Sequence, residues 1–336
     1  MNKKTHAKNE SRIIRYDYAR VLCMIWVIGI LHMSHYVNHP VEDFQYERCI
    51  TESVLATFFF ISGRLSSRYQ IFSFTDGINY IKHKLIAIFP LYLLSIALIV
   101  FTSVGNIHGI SRQLKMFIVS ATCINAFYPP MILTMWFLTV LILFYLITPI
   151  FLSDIKMKWK ICIALILYFI LLTEYIFVKT ADDRIVTYFP FYILGLLMNS
   201  DLEKKLLRIG YTIIAVIVLC IIAYFSGIIE LPRSVTLHIQ LVVKLSFMFS
   251  LLGICEIAAK YGNKIYRIVG FIASASTFAY LFHRQYYAIW EAFFNPFPYW
   301  LAYLVIFPTL IFLSYFGQKL YNRIVRQFKS VRKKPS

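Results

Sequence analysis

His32 and His283 stand inside long apolar runs, where a titratable side chain is costly and by default marks function. An imidazole changes charge near neutral pH, so it can take a proton from an alcohol as a general base. His35 follows one turn after His32, and Asp17 and Arg20 precede the same run. From Arg20 to His32 is a helical rise of about 18 Å. The planar fork of an arginine matches phosphate oxygens. One helix therefore offers a phosphate anchor at one membrane surface and a base beyond the midplane. That suits a phosphorylated donor on one side and an acceptor that reaches the same pore from the other.

The second histidine lies roughly 22 Å along its own run, so the two are expected at similar depth if their spans are neighbours. Arg284 and Glu291 share the run of His283, while Glu174 and Trp136 fall in the same outer half of other runs. A water-filled pocket opening outward could hold His35, Trp136, Glu174, His283 and Arg284 as acceptor contacts, with the indole suited to a sugar face. The plain alternative is that His35 or His283 only hydrogen-bonds a neighbouring helix. Lys244 and Glu256 lie three turns apart on one run and read as structural charges paired with other helices. The six cysteines form no Cys-x-x-Cys and no zinc-like spacing with histidine, so no metal is expected.

Helices in a bilayer must position these groups. Of 336 residues, 60% are hydrophobic and 15% charged, with a mean hydropathy of +0.68. A soluble domain is typically about 45–50% apolar and about 25% charged. An ordinary soluble enzyme, a disordered tail and a secreted disulfide scaffold are excluded, and the chain reads as an all-α, polytopic integral membrane protein. Apolar runs fall near 21–36, 50–63, 85–104, 114–128, 131–151, 161–178, 185–199, 209–229, 235–257, 268–292 and 299–317. No small-residue cleavage site follows the first run, which reads as an uncleaved span rather than a signal peptide. The run 114–128 is short and leads into Tyr128, Pro129 and Pro130.

Loop charge decides whether that run crosses. With a cytoplasmic N-terminus and no crossing at 114–128, 26 of the 34 Lys and Arg fall on the cytoplasmic side, as the positive-inside rule asks. A crossing there would move Lys156, Lys158, Lys160, Lys204, Lys205 and Arg208 to the opposite face. The expectation is ten transmembrane helices, both termini cytoplasmic, and a re-entrant segment at 114–128. Non-helical backbone at that depth must be buried by protein or line a water cavity. Residues 1–20 are then a basic cytoplasmic N-terminus, 21–317 the membrane domain, and 318–336 a basic cytoplasmic tail suited to lipid headgroups. The net charge of +18 becomes a topology signal that needs no nucleic-acid partner.

Several short patterns add to this. Arg15, Tyr16, Asp17, Tyr18, Ala19 and Arg20 precede the apolar stretch to His32. Phe58, Phe59, Phe60, Ile61, Ser62 and Gly63 end the second run. Phe89, Pro90, Leu91 and Tyr92 open the third. Trp136, Phe137 and Leu138, with Tyr145 and Pro149, mark another run, and Phe278 to His283 reads Phe-Ala-Tyr-Leu-Phe-His. In this order, from about 12 to 318, they resemble the bacterial membrane-bound O-acyltransferases called acyltransferase-3. That resemblance implies transfer of an acyl group, usually acetyl from acetyl-CoA, to hydroxyls of surface carbohydrate at a bacterial inner (plasma) membrane, with no bound cofactor. It implies His32 as the base, Asp17 and Arg20 in the catalytic group, and Arg20, Lys82, Lys84, Ser62 and Gly63 on the donor side.

Two departures from the family pattern stand out. The family has ten residues between the arginine and the histidine, and this chain has eleven. One extra residue rotates a helix by about 100°, and a π-bulge in the first span would restore the alignment. The paired arginines expected before Pro90 are replaced by Lys82, His83 and Lys84, with Ala87 at an arginine position. Ser62 admits a nucleophile reading, but Ser-Gly at a span end more simply lets two helices approach closely. The rival functions are a glycan flippase, where the same groups line a path without chemistry, and a glycan polymerase, which wants a larger external loop.

Overall fold

The computed structural model describes residues 14–37, 47–102, 108–127, 132, 134–207, 233–262, 265–294 and 298–331, with only the backbone along 233–236 and 328–331. The regular structure among them is helical, and one isolated bridge joins Ile71 to Ser153. The α-helices are α1 (Ile14–Met24), α2 (Glu47–Ser66), α3 (Phe74–Phe101), α4 (Ile110–Ala121), α5 (Trp136–Leu152) and α6 (Met157–Thr173). They continue as α7 (Asp183–Leu197), α8 (Ser200–Leu206), α9 (Arg233–Tyr261), α10 (Tyr266–Phe293) and α11 (Phe307–Val331). The apolar run 209–229 lies outside the described residues.

Among the described residues, four helical stretches are long and apolar enough to cross a bilayer: Phe74–Phe101, Met157–Val178, Leu237–Tyr261 and Tyr299–Gln327. Trp136–Leu152 is equally apolar but shorter. The chain is an all-α membrane protein. Several helices outside that set carry charges as well. Asp17 and Arg20 lie on α1, Glu52 and Arg64 on α2, Asp183 and Arg184 on α7, and Arg267 and Arg284 on α10. Those helices cluster in the interior, with α1 packed on α9 and α10 and α2 packed on α7 and α9. By contrast, α6 buries none of its residues.

Segment 114–128 falls mainly on α4. Its 12 residues rise about 18 Å, short of a hydrocarbon core of about 30 Å. The chain then turns at Cys123, whose φ of 60° is left-handed, into a short 3-10 turn, Ile124–Ala126. Asn125 and Ala126 of that turn are buried. The Asp182 amide donates to the Ala126 carbonyl at 2.8 Å, and the Tyr92 hydroxyl donates to the Ser120 carbonyl at 2.9 Å.

Local chemistry explains two features that shape the interior. Ser73 caps α3 by accepting from the Asp76 amide at 3.1 Å, one of the orphan donors at a helix start. Pro90 lacks an N–H, so the Ile86 carbonyl one turn back loses its helical donor. The Tyr321 hydroxyl on α11 supplies the missing donor at 2.7 Å, which ties α11 to α3 at the proline.

Gly63 and Gly195 set the closest helix crossing. A Cβ on Gly63 would stand 2.1 Å from the Tyr192 carbonyl oxygen, and one on Gly195 would stand 2.1 Å from the Phe60 carbonyl oxygen. Neither neighbour is a side chain that can swing away. Gly63→Ala is expected to push α2 and α7 apart and lower stability by about 3 kcal/mol, the upper end of overpacking costs. Thermal unfolding in detergent checks it, and an unchanged melting curve would show that the helices can slide.

A buried ion network closes the end of the bundle where α1 begins. Glu203 on α8 is fully buried and accepts from Arg15 Nη2 at 2.9 Å, Arg64 Nε at 3.1 Å and the Tyr16 hydroxyl at 2.5 Å. Arg15 Nη1 also pairs with Glu256 at 3.0 Å. Lys244 pairs with Glu52 at 2.7 Å. Lys244 and Glu256, the two charges within the apolar run of α9, are thus paired with other helices, as their position requires.

Candidate active site

The helical phase of α1 decides what faces the interior. Between Met24 and Met33 the backbone is π-helical over Ile25–His32, where the extra residue between Arg20 and His32 calls for a local widening. The segment is held from two sides. Trp26 Nε1 donates to Thr51 Oγ1 on α2 at 2.9 Å, and the Tyr287 hydroxyl on α10 donates to the Ile28 carbonyl at 3.1 Å. Gly29 lies against the Phe307 ring, where a Cβ would come within 2.9 Å.

His32, at the end of the π segment, meets His283 of α10. His32 Nδ1 and His283 Nε2 are 2.7 Å apart, and His283 Nδ1 is 2.7 Å from the Tyr280 carbonyl oxygen. The ring planes agree within 5° with centroids 4.8 Å apart. That centroid distance is close to the nitrogen contact plus two ring radii, so the rings meet edge to edge in one plane rather than face to face. His283 is fully buried, whereas His32 keeps part of its surface open. His35 lies one turn further out and is exposed.

Toward the end of the bundle where α1 begins, a cavity of about 180 Å³ runs between α1, α2, α3, α5 and α10. Its walls are mostly apolar, from Met24, Val27, Leu55, Phe58 and Phe137 among others. Arg20 and Lys84 supply its cations, and Ser62, Tyr145 and Ser276 supply hydroxyls. Arg20 Nη2 donates to Ser276 Oγ at 2.8 Å, and Arg20 Nη1 stands 4.0 Å from Asp17. Asp17 therefore orients the guanidinium without closing a tight pair. The Lys84 ammonium sits among the rings of Tyr69, Tyr80 and Tyr145 at 5.2, 5.5 and 4.9 Å. Cation–π contacts hold it there, and no carboxylate pairs with it among the described residues. Tyr280 also lines this cavity, so the residue whose carbonyl holds His283 forms part of its wall.

Lys82 is exposed on α3 and points away from the cavity that Lys84 enters. Gly63 lies at the α2–α7 crossing, and Ser62 beside it reaches the cavity.

A second, polar cleft of about 520 Å³ opens beside α2, α7 and α9. Trp136, Glu52, Asp183, Arg184 and Lys244 line it. The Trp136 ring already has neighbours there: the Arg184 guanidinium lies 4.4 Å from its centroid, and Tyr188 stacks with its ring centre 5.7 Å away. Glu174 Oε1 accepts from the Thr180 and Ala181 amides, both at 2.6 Å, so it closes the turn after α6. Arg284 is half-buried beside the histidine pair, and its Nε has no hydrogen-bond partner among the described residues.

An acyltransferase domain matches residues 13–317, nearly the whole chain. The chain belongs to the acyltransferase-3 family. This membrane acyltransferase has no match among curated proteins and none among solved structures. Two groups in its interior were not legible beforehand. Glu203 sits on a seven-residue helix between longer ones and looks in sequence like one more loop acid. The tyrosine cage of Lys84 draws on α3, α5 and the loop before α3, and tyrosines at such spacing ordinarily read as packing. The only prior signal was the basic Lys82 to Lys84 stretch itself.

Proposed function

We propose that this acyltransferase is a ten-span O-acetyltransferase of a bacterial inner membrane, with both termini cytoplasmic. It moves acetyl from cytoplasmic acetyl-CoA to a hydroxyl of a cell-surface or lipid-linked carbohydrate. The supporting observation is the apolar cavity that carries Arg20 and an ammonium without a carboxylate at Lys84 and is walled by Tyr280, the residue that holds His283. A partly buried cation without a counter-charge favours an anionic ligand, and the diphosphate of coenzyme A is one. The pantetheine arm fits a narrow, mostly apolar passage with scattered hydroxyls. His32 deprotonates the acceptor hydroxyl, whose oxygen attacks the thioester carbon. On the outer side, His35, Arg284 and the polar cleft with Trp136 and Asp183 meet the carbohydrate, and Glu174 shapes the rim.

Surface-glycan NMR with and without the gene tests the whole reading, because it reports acyl type and position together. Loss of an O-acetyl signal is the expected result. The flippase alternative predicts that purified protein consumes no acetyl-CoA yet moves lipid-linked glycan in vesicles. On the donor side, Lys84→Leu is expected to raise the KM for acetyl-CoA about tenfold to a hundredfold, the worth of a charge-assisted hydrogen bond, with a smaller change in kcat. Steady-state kinetics on purified protein reads this, and an unaltered KM would remove Lys84 from the donor site.

A further inference from the structure

We infer that His283 is a positioning residue that sets the tautomer of His32 and so makes His32 Nε2 the atom that accepts the proton. The mechanistic part rests on the acyl-transfer reading above, but the tautomer follows from hydrogen-bond direction alone. A carbonyl oxygen only accepts, so the 2.7 Å contact with Tyr280 puts a hydrogen on His283 Nδ1. His283 is fully buried and bonded to no carboxylate among the described residues. A second proton would leave an uncompensated charge in that site, so His283 Nε2 presents a lone pair. The only donor within reach of that lone pair in this contact is His32 Nδ1, at 2.7 Å. His32 therefore carries its hydrogen on Nδ1, and its Nε2 is bare.

The coplanar rings fit this assignment, because the lone pair of an imidazole nitrogen lies in the ring plane. The chain of donors runs from His32 through His283 to a carbonyl locked in the backbone of α10. A base free to flip or exchange tautomers would spend part of its time with Nε2 protonated, and this chain prevents that. In the transfer step the acceptor hydroxyl gives its proton to His32 Nε2 as its oxygen bonds to the acyl carbon. The carbon–sulfur bond breaks, and the coenzyme A thiolate takes the proton back from Nε2. The hydrogen on Nδ1 stays where it is throughout.

Nitrogen-15 NMR of the full-length protein in bilayers, labelled at histidine, tests the tautomer directly. Protonated and unprotonated ring nitrogens are well separated in such spectra, and H32Q and H283Q identify the two residues among the 8 histidines. The expected result is a protonated Nδ1 and an unprotonated Nε2 on both rings. A protonated Nε2 on His32 overturns the proposal. Kinetics separate positioning from packing. H283Q keeps an acceptor at the distal position and is expected to hold kcat within about tenfold of wild type. H283F keeps bulk but offers no acceptor, and should lose about a hundredfold in kcat with the donor KM unchanged. Equal kcat values for the two variants overturn the proposal. If H283F fails to fold, the wild-type spectrum still decides. If wild type transfers no acyl group, the function fails while the spectrum judges the tautomer separately.

Discussion

His32→Gln loses acyl transfer by about 10²- to 10⁴-fold, the usual contribution of a positioned general base, while the protein keeps its fold. The expectation follows from where the ring sits. Among the groups of the dyad only His32 keeps open surface, and it stands at the end of a π segment anchored by Trp26 and Tyr287. Glutamine places an uncharged amide near the Nε2 position, so a polar group remains there while the basic nitrogen is gone. The loss should appear in kcat and kcat/KM together, since the proton moves only in the transition state. Acetyl transfer by purified protein, read beside a thermal unfolding curve, checks it. Activity within tenfold of wild type in a folded variant would move the base elsewhere.

Glu203→Leu destabilises the protein by about 3–5 kcal/mol, the cost of breaking a buried ion pair by removing one partner. Glu203 is the shared acceptor for Arg15, Arg64 and the Tyr16 hydroxyl, and it has no exposed surface. Without it, among the described residues, Arg64 keeps hydrogen bonds to Ser67 and Ser200, and Arg15 keeps its ion pair with Glu256. Arg64→Met should cost less, because Glu203 then still holds Arg15. Unfolding in mixed micelles measures both. A loss under about 1 kcal/mol for Glu203→Leu would mean the network is solvated in the membrane-bound protein. The network joins α1, α2, α8 and α9, so its loss should also loosen the wall that carries Arg20.

The composition already required a helical membrane protein, because no soluble fold covers so apolar a chain. Set against the ten-residue spacing of the family it resembles, the eleven-residue gap between Arg20 and His32 implied either a local π-bulge or a different pairing, and the first span is π-helical over Ile25–His32. The pairing of Lys244 and Glu256 with other helices was legible for the same reason: an apolar run cannot leave a charge alone. Trp136 shows the limit. Its residue type suits a sugar, and the structure adds that Arg184 and Tyr188 already lie against its ring. Glu174 is likewise committed to the turn at Thr180. Side-chain competition of this kind depends on neighbours distant in the chain, which spacing along one helix does not report.

What the sequence determined by itself, then, is the membrane, the family and the depth of its two histidines, because these follow from hydropathy, motif order and a fixed rise per residue. Tertiary structure alone decided that His32 and His283 share a hydrogen bond rather than facing separate partners. It also decided that Lys84 lies in a tyrosine cage and that Glu203 binds two arginines. Depth is a property of one helix. Contact depends on the rotation and crossing of two, and at α1 and α10 a widened π turn and a tyrosine carbonyl settle it.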